Sequence, residues 1–290
     1  MTAENKSALI LLFTTVLAGL GWIFSKQAIQ GIPPFGFIGL RFCVASFCLL
    51  PFCFKNLIFI EKVNLIKAIG CGLVLAFALL TWVYAISVSE SLGAGAFIVS
   101  LSMLIVPIFG WLIFREKPKR IFWFSLPIAL AGLALLSLSG GWRSSPGQLW
   151  FLINACLLAL HFNVNSRLSK SVPVLALTTI QLGVTGFVAI CVSLLFETQP
   201  AHVSGEIWVW FFLSAILATS LRYVMQTFGQ KGCHPNNAAL IMLLEPIWAV
   251  VLSMLVYGEE LSNNKILGCL LILVSLLLYR TEGRMFRLRS

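Results

Sequence analysis

Five ionisable side chains lie inside stretches that are otherwise apolar, and they give this chain most of its chemistry: Lys26, Arg41, His161, Arg222 and Glu245. Glu245 is followed by Pro246 about halfway along the run Asn236 to Ser262, NNAALIMLLEPIWAVVLSMLVYGEELS. A carboxylate in hydrocarbon is costly, and a proline leaves a carbonyl one turn back without its partner. Both are tolerated where a broken helix lines a cavity or packs inside protein. A carboxylate so placed can carry a proton or pair with a cation, and Arg222, at matching depth one helix earlier, is the cation for the pair, the two roles not being exclusive. Arg41, roughly two turns into its own apolar run, offers a planar fork of donors suited to a carboxylate or phosphate. Lys26 is nearer an end and can snorkel to the surface. His161 can switch protonation near neutral pH or serve as a hydrogen-bonded packing residue.

The elements that must position these groups follow from composition. Hydrophobic residues make up 59% of the 290, charged residues 10%, and there is no Asp; mean hydropathy is +0.97. That leaves too little polar surface for a soluble globule and predicts an all-α polytopic membrane protein. Apolar runs fall at 8–30, 35–54, 65–88, 93–114, 120–138, 147–168, 173–196, 206–229, 237–257 and 263–280, each near the ~20 residues a spanning helix needs. Ten transmembrane helices are therefore expected. The first reads as a retained helix, since no small-residue cleavage site follows it.

The net charge of +10 is a matter of topology. With the N-terminus cytoplasmic, fifteen of the 20 basic residues fall on the cytoplasmic side, Arg143 and Lys265 opposite, and Lys26, Arg41 and Arg222 within helices. That split is the positive-inside signature of a chain with both termini in the cytoplasm, and it speaks against nucleic acid as a partner. The tail from 281 to 290 is basic, an anchor against anionic headgroups.

The loop SGGWRSSPG, Ser139 to Gly147, leaves five helices on each side, 1–139 and 147–280. Five being odd, the second half enters from the opposite face, so likeness between the halves would be an inverted repeat. Setting Gly95–Lys117 in register with Ala238–Glu260 brings Ser102 opposite Glu245 and Glu116 opposite Glu259. For the entry helices a register differing by a small indel matches Pro34 with Pro173 and sets the stripe Thr15, Trp22, Lys26 against Asn154, His161, Asn165. Positions i, i+7 and i+11 share one helical face.

GWIFSKQAIQGIPPFGFIGLRFCVAS, Gly21 to Ser46, resembles the opening of the EamA-type transporters of the drug/metabolite transporter superfamily, with its Trp, a Lys four residues later, a proline-containing turn and an Arg-Phe in helix 2. QKGCHPNNAALIMLLEPIWAVVLSMLVYGEELS, Gln230 to Ser262, is similar to the close of that family's second repeat. The chain departs from the pattern at Met103, where the family often has Pro, at His161, where it often has Trp, and at Arg222. The resemblance implies a secondary-active exporter of small metabolites such as amino acids, working by alternating access in the cell inner or plasma membrane. The alternatives are a multidrug exporter of cationic compounds and a lipid-flipping or auxiliary membrane protein.

Such a carrier needs a midplane pocket with a few orienting polar groups and aromatic walls. Arg222, Gln226, Glu245, His161, Asn165 and Gln181 are expected toward one mouth, and Trp22, Lys26, Arg41, Trp82 and Tyr84 toward the other. Glu245 and His161 are the candidates for proton coupling. Glu116, Glu259 and Glu260 read as interfacial caps. The fifth and tenth helices read as peripheral, with Gly132 and Gly268 available for a homodimer contact. Neither a P-loop, nor H-E-x-x-H, nor G-x-S-x-G with a partner His is present. The expectation is therefore a non-enzyme without metal or cofactor, whose partners are a small-molecule substrate and membrane lipid, as monomer or homodimer.

Overall fold

The computed structural model describes residues 3–29, 31–89, 92–138, 146–198, 202–258 and 262–285. Every regular element among them is helical: α1 (Ala3–Ala28), α2 (Pro34–Ile58), α3 (Lys62–Ser87), α4 (Leu92–Ser100), α5 (Ser102–Phe114), α6 (Arg120–Ser137), α7 (Gly147–Ser171), α8 (Val174–Phe196), α9 (Gly205–Ala215), a π-helical turn (Ile216–Leu221), α10 (Arg222–Gly232), α11 (Pro235–Met242), α12 (Glu245–Tyr257) and α13 (Asn263–Met285). Eight stretches are long and apolar enough to cross a membrane, with α4–α5, α9–α10 and α11–α12 each counting as one; Arg120–Leu136 and Asn263–Tyr279 are shorter apolar helices. The protein is a multi-pass membrane protein. Glu259 and Glu260, read as caps, and Arg143 lie outside the described residues. α13 continues to Met285, past the boundary set at 280; LLLYRTEGRM has no proline to stop it, and Gly283 only weakens the last turn.

Two of the spans are broken, and the breaks correspond. α4 and α5 are separated at Leu101, α11 and α12 at Leu243 and Leu244; Leu101 and Leu244 are equivalent in the register that sets Gly95 on Ala238. Pro246 explains the second break, since it has no N–H to give to the carbonyl of Met242. The chain tightens there into i to i−3 bonds, Leu243 to Leu240 at 3.2 Å and Leu244 to Ile241 at 3.1 Å. At the first break Leu101 bonds Ile98 at 3.1 Å and Leu104 bonds Leu101 at 2.9 Å. Both helices end in the left-handed conformation, Arg115 at φ 59° and Gly258 at φ 66°, and these two residues are equivalent in the same register.

The packing partners repeat the same logic. α2 lies on α8, α6 on α13, α3 on α7, α1 on α9–α10, α1 on α12, and α7 on α4–α5. Exchanging the halves turns each of these contacts into itself or into another member of the set. α6 and α13 approach closely through their glycines: a Cβ on Gly132 would meet the Gly268 carbonyl oxygen at 2.9 Å. The small residues read as a homodimer contact are thus consumed within the chain, and Ser275 adds a hydrogen bond to the Ser125 carbonyl at 2.9 Å. Outward faces of these helices are apolar, with Phe124 and Leu277 exposed, as lipid contact requires.

Candidate functional site

A cavity of about 500 Å³ lies between the two halves. Its lining comes from the C-terminal parts of α1 and α3, the N-terminal part of α2, the middle of α7, the region around the π turn, and both broken helices. Trp22, Arg41, Trp82, His161, Arg222, Gln226 and Glu245 line it together.

Glu245 sits at the first position of α12, where the helix dipole favours an anion. Its Oε2 lies 3.3 Å from Arg222 Nη2, and its Oε1 accepts from Trp22 Nε1 at 3.3 Å. Both carboxylate oxygens are therefore engaged, and the pair joins α10 to α12 across the cavity wall. The two side chains retain 20% and 23% exposure, and among the described residues Arg222 Nε is buried without a partner.

Arg41 is held differently, by acceptors that are all neutral among the described residues. Its Nε donates to Thr219 Oγ1, Nη1 to Ser25 Oγ at 2.9 Å and Nη2 to the Ala218 carbonyl at 3.2 Å. The hydroxyls meet the guanidinium as acceptors because their own protons are committed: Ser25 donates to the Gly21 carbonyl at 2.6 Å and Thr219 to the Ser214 carbonyl at 2.9 Å. That last bond reaches back five residues, a spacing the π turn supplies. Phe37 and Phe42 flank the guanidinium at 5.5 and 6.0 Å. Counting Glu245, Arg222 and Arg41, the site carries one positive charge in excess.

Trp22 and Trp82 form the aromatic wall, edge to face with ring centroids 6.1 Å apart. Tyr84 is not with them: it packs on Trp150, centroids 4.9 Å apart, and is exposed. Residues two apart on a helix point to nearly opposite sides, so Trp82 and Tyr84 never had a face in common. Lys26, one turn beyond Trp22, is exposed and outside the cavity lining. Asn165 is fully buried beneath the cavity floor. Ser25, Thr219 and Tyr223 are lining or supporting residues that sequence reasoning missed; a hydroxyl near a helix end carries no signal of its own.

Below the floor, toward the N-terminal face, the molecule is closed by two layers. The first is a buried amide cluster of Gln181, Asn165, Gln230 and Thr227 from α7, α8 and α10. The second is ionic. Glu116, just past α5, lies 2.9 Å from Arg167 Nη2 of α7, off the N–H axis, and 3.5 Å from His234 Nε2 before α11. Arg167 also donates to Asn163 Oδ1 at 2.9 Å and rests on the Phe114 ring at 3.6 Å. Burial, reinforced by Lys170, Arg167 and Lys119, holds the His234 imidazole below its ordinary value in spite of Glu116.

Comparison with known proteins agrees with this architecture. The model of the EamA-like transporter family matches residues 5–138 and 145–281. The uncharacterized transporter YvbV of Bacillus subtilis is 25% identical over 292 residues, spanning 97% of this chain and 93% of its own. An uncharacterized transporter of Archaeoglobus fulgidus is 24% identical over 254 residues, 87% of this chain and 79% of its own. A crystal structure of a protein superposes with a TM-score of 0.83 at 17% identity, covering 98% of this chain and 99% of its own; that likeness concerns the fold alone.

Proposed function

We propose, from the premise that this chain belongs to the EamA-like transporter family, that it is a secondary-active carrier of small metabolites bearing a carboxylate, amino acids among them. The observation that carries the reading is Arg41: a guanidinium fixed by Ser25, Thr219 and Ala218, with no acidic partner among the described residues, beside an ion pair in an aromatic-walled cavity. A cationic drug would meet a site of the wrong sign, which disfavours the multidrug alternative.

In this reading the chain has ten spans, arranged as inverted five-helix halves with both termini cytoplasmic, in the inner or plasma membrane. The matching breaks at Leu101 and Leu244 and the matching caps at Arg115 and Gly258 support the inverted repeat. The closed side is then cytoplasmic, and alternating access consists in parting the Glu116–Arg167–His234 layer and the amide cluster above it while the outer half closes. Export follows when substrate is loaded from the cytoplasmic side. Glu245 couples the cycle to protons. Protonation releases Arg222 from the pair, so that a substrate carboxylate and a proton are bound and carried together, outward movement being driven by the substrate's own gradient, and Glu245 is the coupling group in preference to His161. The working unit is a monomer with lipid around α6 and α13.

The test is ligand-induced thermal stabilisation of purified protein against a panel of amino acids, organic anions and organic cations, with Arg41→Ala alongside. A ligand that binds the folded state raises its melting point by mass action. Stabilisation by a carboxylate-bearing compound, lost in Arg41→Ala, is expected. Stabilisation by cations or lipids alone, indifferent to Arg41, refutes the reading.

A further inference from the structure

Behind the cavity floor four side chains form one directed chain of hydrogen bonds. His161 Nε2 lies 2.7 Å from Gln181 Oε1, Gln181 Nε2 donates to Asn165 Oδ1 at 3.1 Å, and Asn165 Nδ2 donates to Gln230 Oε1 at 2.5 Å. An amide has one end that accepts and one that donates, so the orientation of any member fixes the next.

Thr227 decides the direction. Its hydroxyl proton goes to the Tyr223 carbonyl at 2.9 Å, which leaves its oxygen as an acceptor 3.2 Å from the Asn165 amide. Reversing the chain would turn Asn165 Oδ1 onto that oxygen, lone pair against lone pair. Asn165 therefore presents its NH2 to Thr227 and Gln230 and its oxygen to Gln181. Gln181 in turn presents its oxygen to His161, where Cys71 Sγ also points, at 3.7 Å. An oxygen accepts only, so the proton of a neutral His161 ring sits on Nε2.

The other nitrogen, Nδ1, is then a bare acceptor. The ring is 3% exposed and lines the cavity, and among the described residues Nδ1 has no hydrogen-bond partner. We infer that His161, held in one tautomer by the Gln181–Asn165–Gln230 chain, determines specificity by accepting at Nδ1 a hydrogen bond from an N–H or O–H group of the carried molecule. Trp22 and Arg222 already donate to the two oxygens of Glu245, whereas His161 Nδ1 receives no donor among the described residues. The inference rests on the carboxylate reading above and narrows it: carboxylates bearing a neighbouring donor are carried in preference to plain carboxylates.

Three probes of one skeleton test it: leucine, 2-hydroxy-4-methylpentanoate and 4-methylpentanoate, with affinities taken from thermal stabilisation of the purified protein. The two donor-bearing compounds should bind about tenfold or more tightly than the plain acid, since the plain acid leaves a buried acceptor unsatisfied. His161→Leu should abolish the difference. His161→Asn, whose amide oxygen can take the place of Nδ1, should keep it. His161→Gln, which can still bond Gln181 but reaches the Nε2 position, should fold and lose it, and so serves if the leucine variant does not fold. Gln181→Leu should weaken binding of leucine toward that of the plain acid while leaving the plain acid unchanged, the mark of a positioning residue. Equal affinities of all three compounds in the parent, each lost in Arg41→Ala, overturn the role of His161 and leave the carboxylate reading standing. Discrimination that survives in both His161→Leu and His161→Gln does the same. Failure of all three compounds to bind the parent overturns both.

Discussion

Glu245→Gln separates the two jobs that the Arg222–Glu245 pair performs. Removing one partner of a fully buried ion pair costs about 3–5 kcal/mol, whereas exposed pairs contribute about 0–1 kcal/mol. With side chains 20% and 23% exposed at 3.3 Å, and with glutamine still able to accept from Trp22, the expected loss is about 2 kcal/mol. For a chain of this size that corresponds to roughly 4–8 °C in apparent melting temperature. Binding moves the other way. The variant imitates the protonated carboxyl, so Arg222 is free for a ligand carboxylate without displacing Glu245, and recovery of about 1.4 kcal/mol means about tenfold tighter binding. On the proposed coupling role of Glu245, transport should also slow and lose its pH dependence. The assay pairs melting curves with leucine titrations for the parent, Glu245→Gln, Arg222→Gln and the double variant; the pair should show a coupling energy of about 1–2 kcal/mol. Additivity within about 0.3 kcal/mol, or weaker carboxylate binding by Glu245→Gln, would refute the competition argument.

Thr219→Val keeps the shape but deprives Arg41 Nε of its acceptor; a loss of about 1–3 kcal/mol in leucine binding is expected, with Thr219→Ser restoring it in the same titration. Gly132→Leu drives a side chain against the Gly268 carbonyl and the Ile272 backbone, so melting should fall by about 1–3 kcal/mol equivalent while light scattering shows no change in oligomeric state. Loss of a dimer with unchanged melting would return these glycines to an interface between copies. His234 gives the closed layer a pH dependence whose sign follows from its lowered value. The closed state takes up a proton less readily than a state with His234 in water, so its stability is present above about pH 6.5 and is lost as pH falls below that. The melting temperature of the parent should decline relative to His234→Gln between about pH 7.5 and 5.5; parallel profiles would exclude the role.

How much of this was legible in the sequence depends on whether a residue announces its partner. Pro246 marks the break in the second half by its missing N–H, and Glu245 beside it marks a polar interior. The corresponding break at Leu101 has no proline: Pro107 lies within α5, and only the register that sets Gly95 on Ala238 relates the two. The depth ordering of Arg222 and Glu245 anticipated their contact, because helices consecutive in the chain have little freedom to misplace equal depths. Asn165 shows the limit of a stripe. It shares a helical face with His161 four residues earlier, yet one turn is enough to pass from the cavity wall into the packed layer beneath. The π turn was invisible, since nothing in ILATSL favours an i to i−5 bond over an ordinary helix, and Thr219 acquires its role only from that extra residue. Arg41 was therefore readable as a charge needing neighbours, while the neighbours were not. A helix can hide a hydroxyl acceptor at no visible cost by returning its proton to its own backbone, and the cation that uses it is supplied from another helix. This is also the reason the site has a net charge to offer: a guanidinium satisfied by hydroxyls and a carbonyl is solvated without being neutralised.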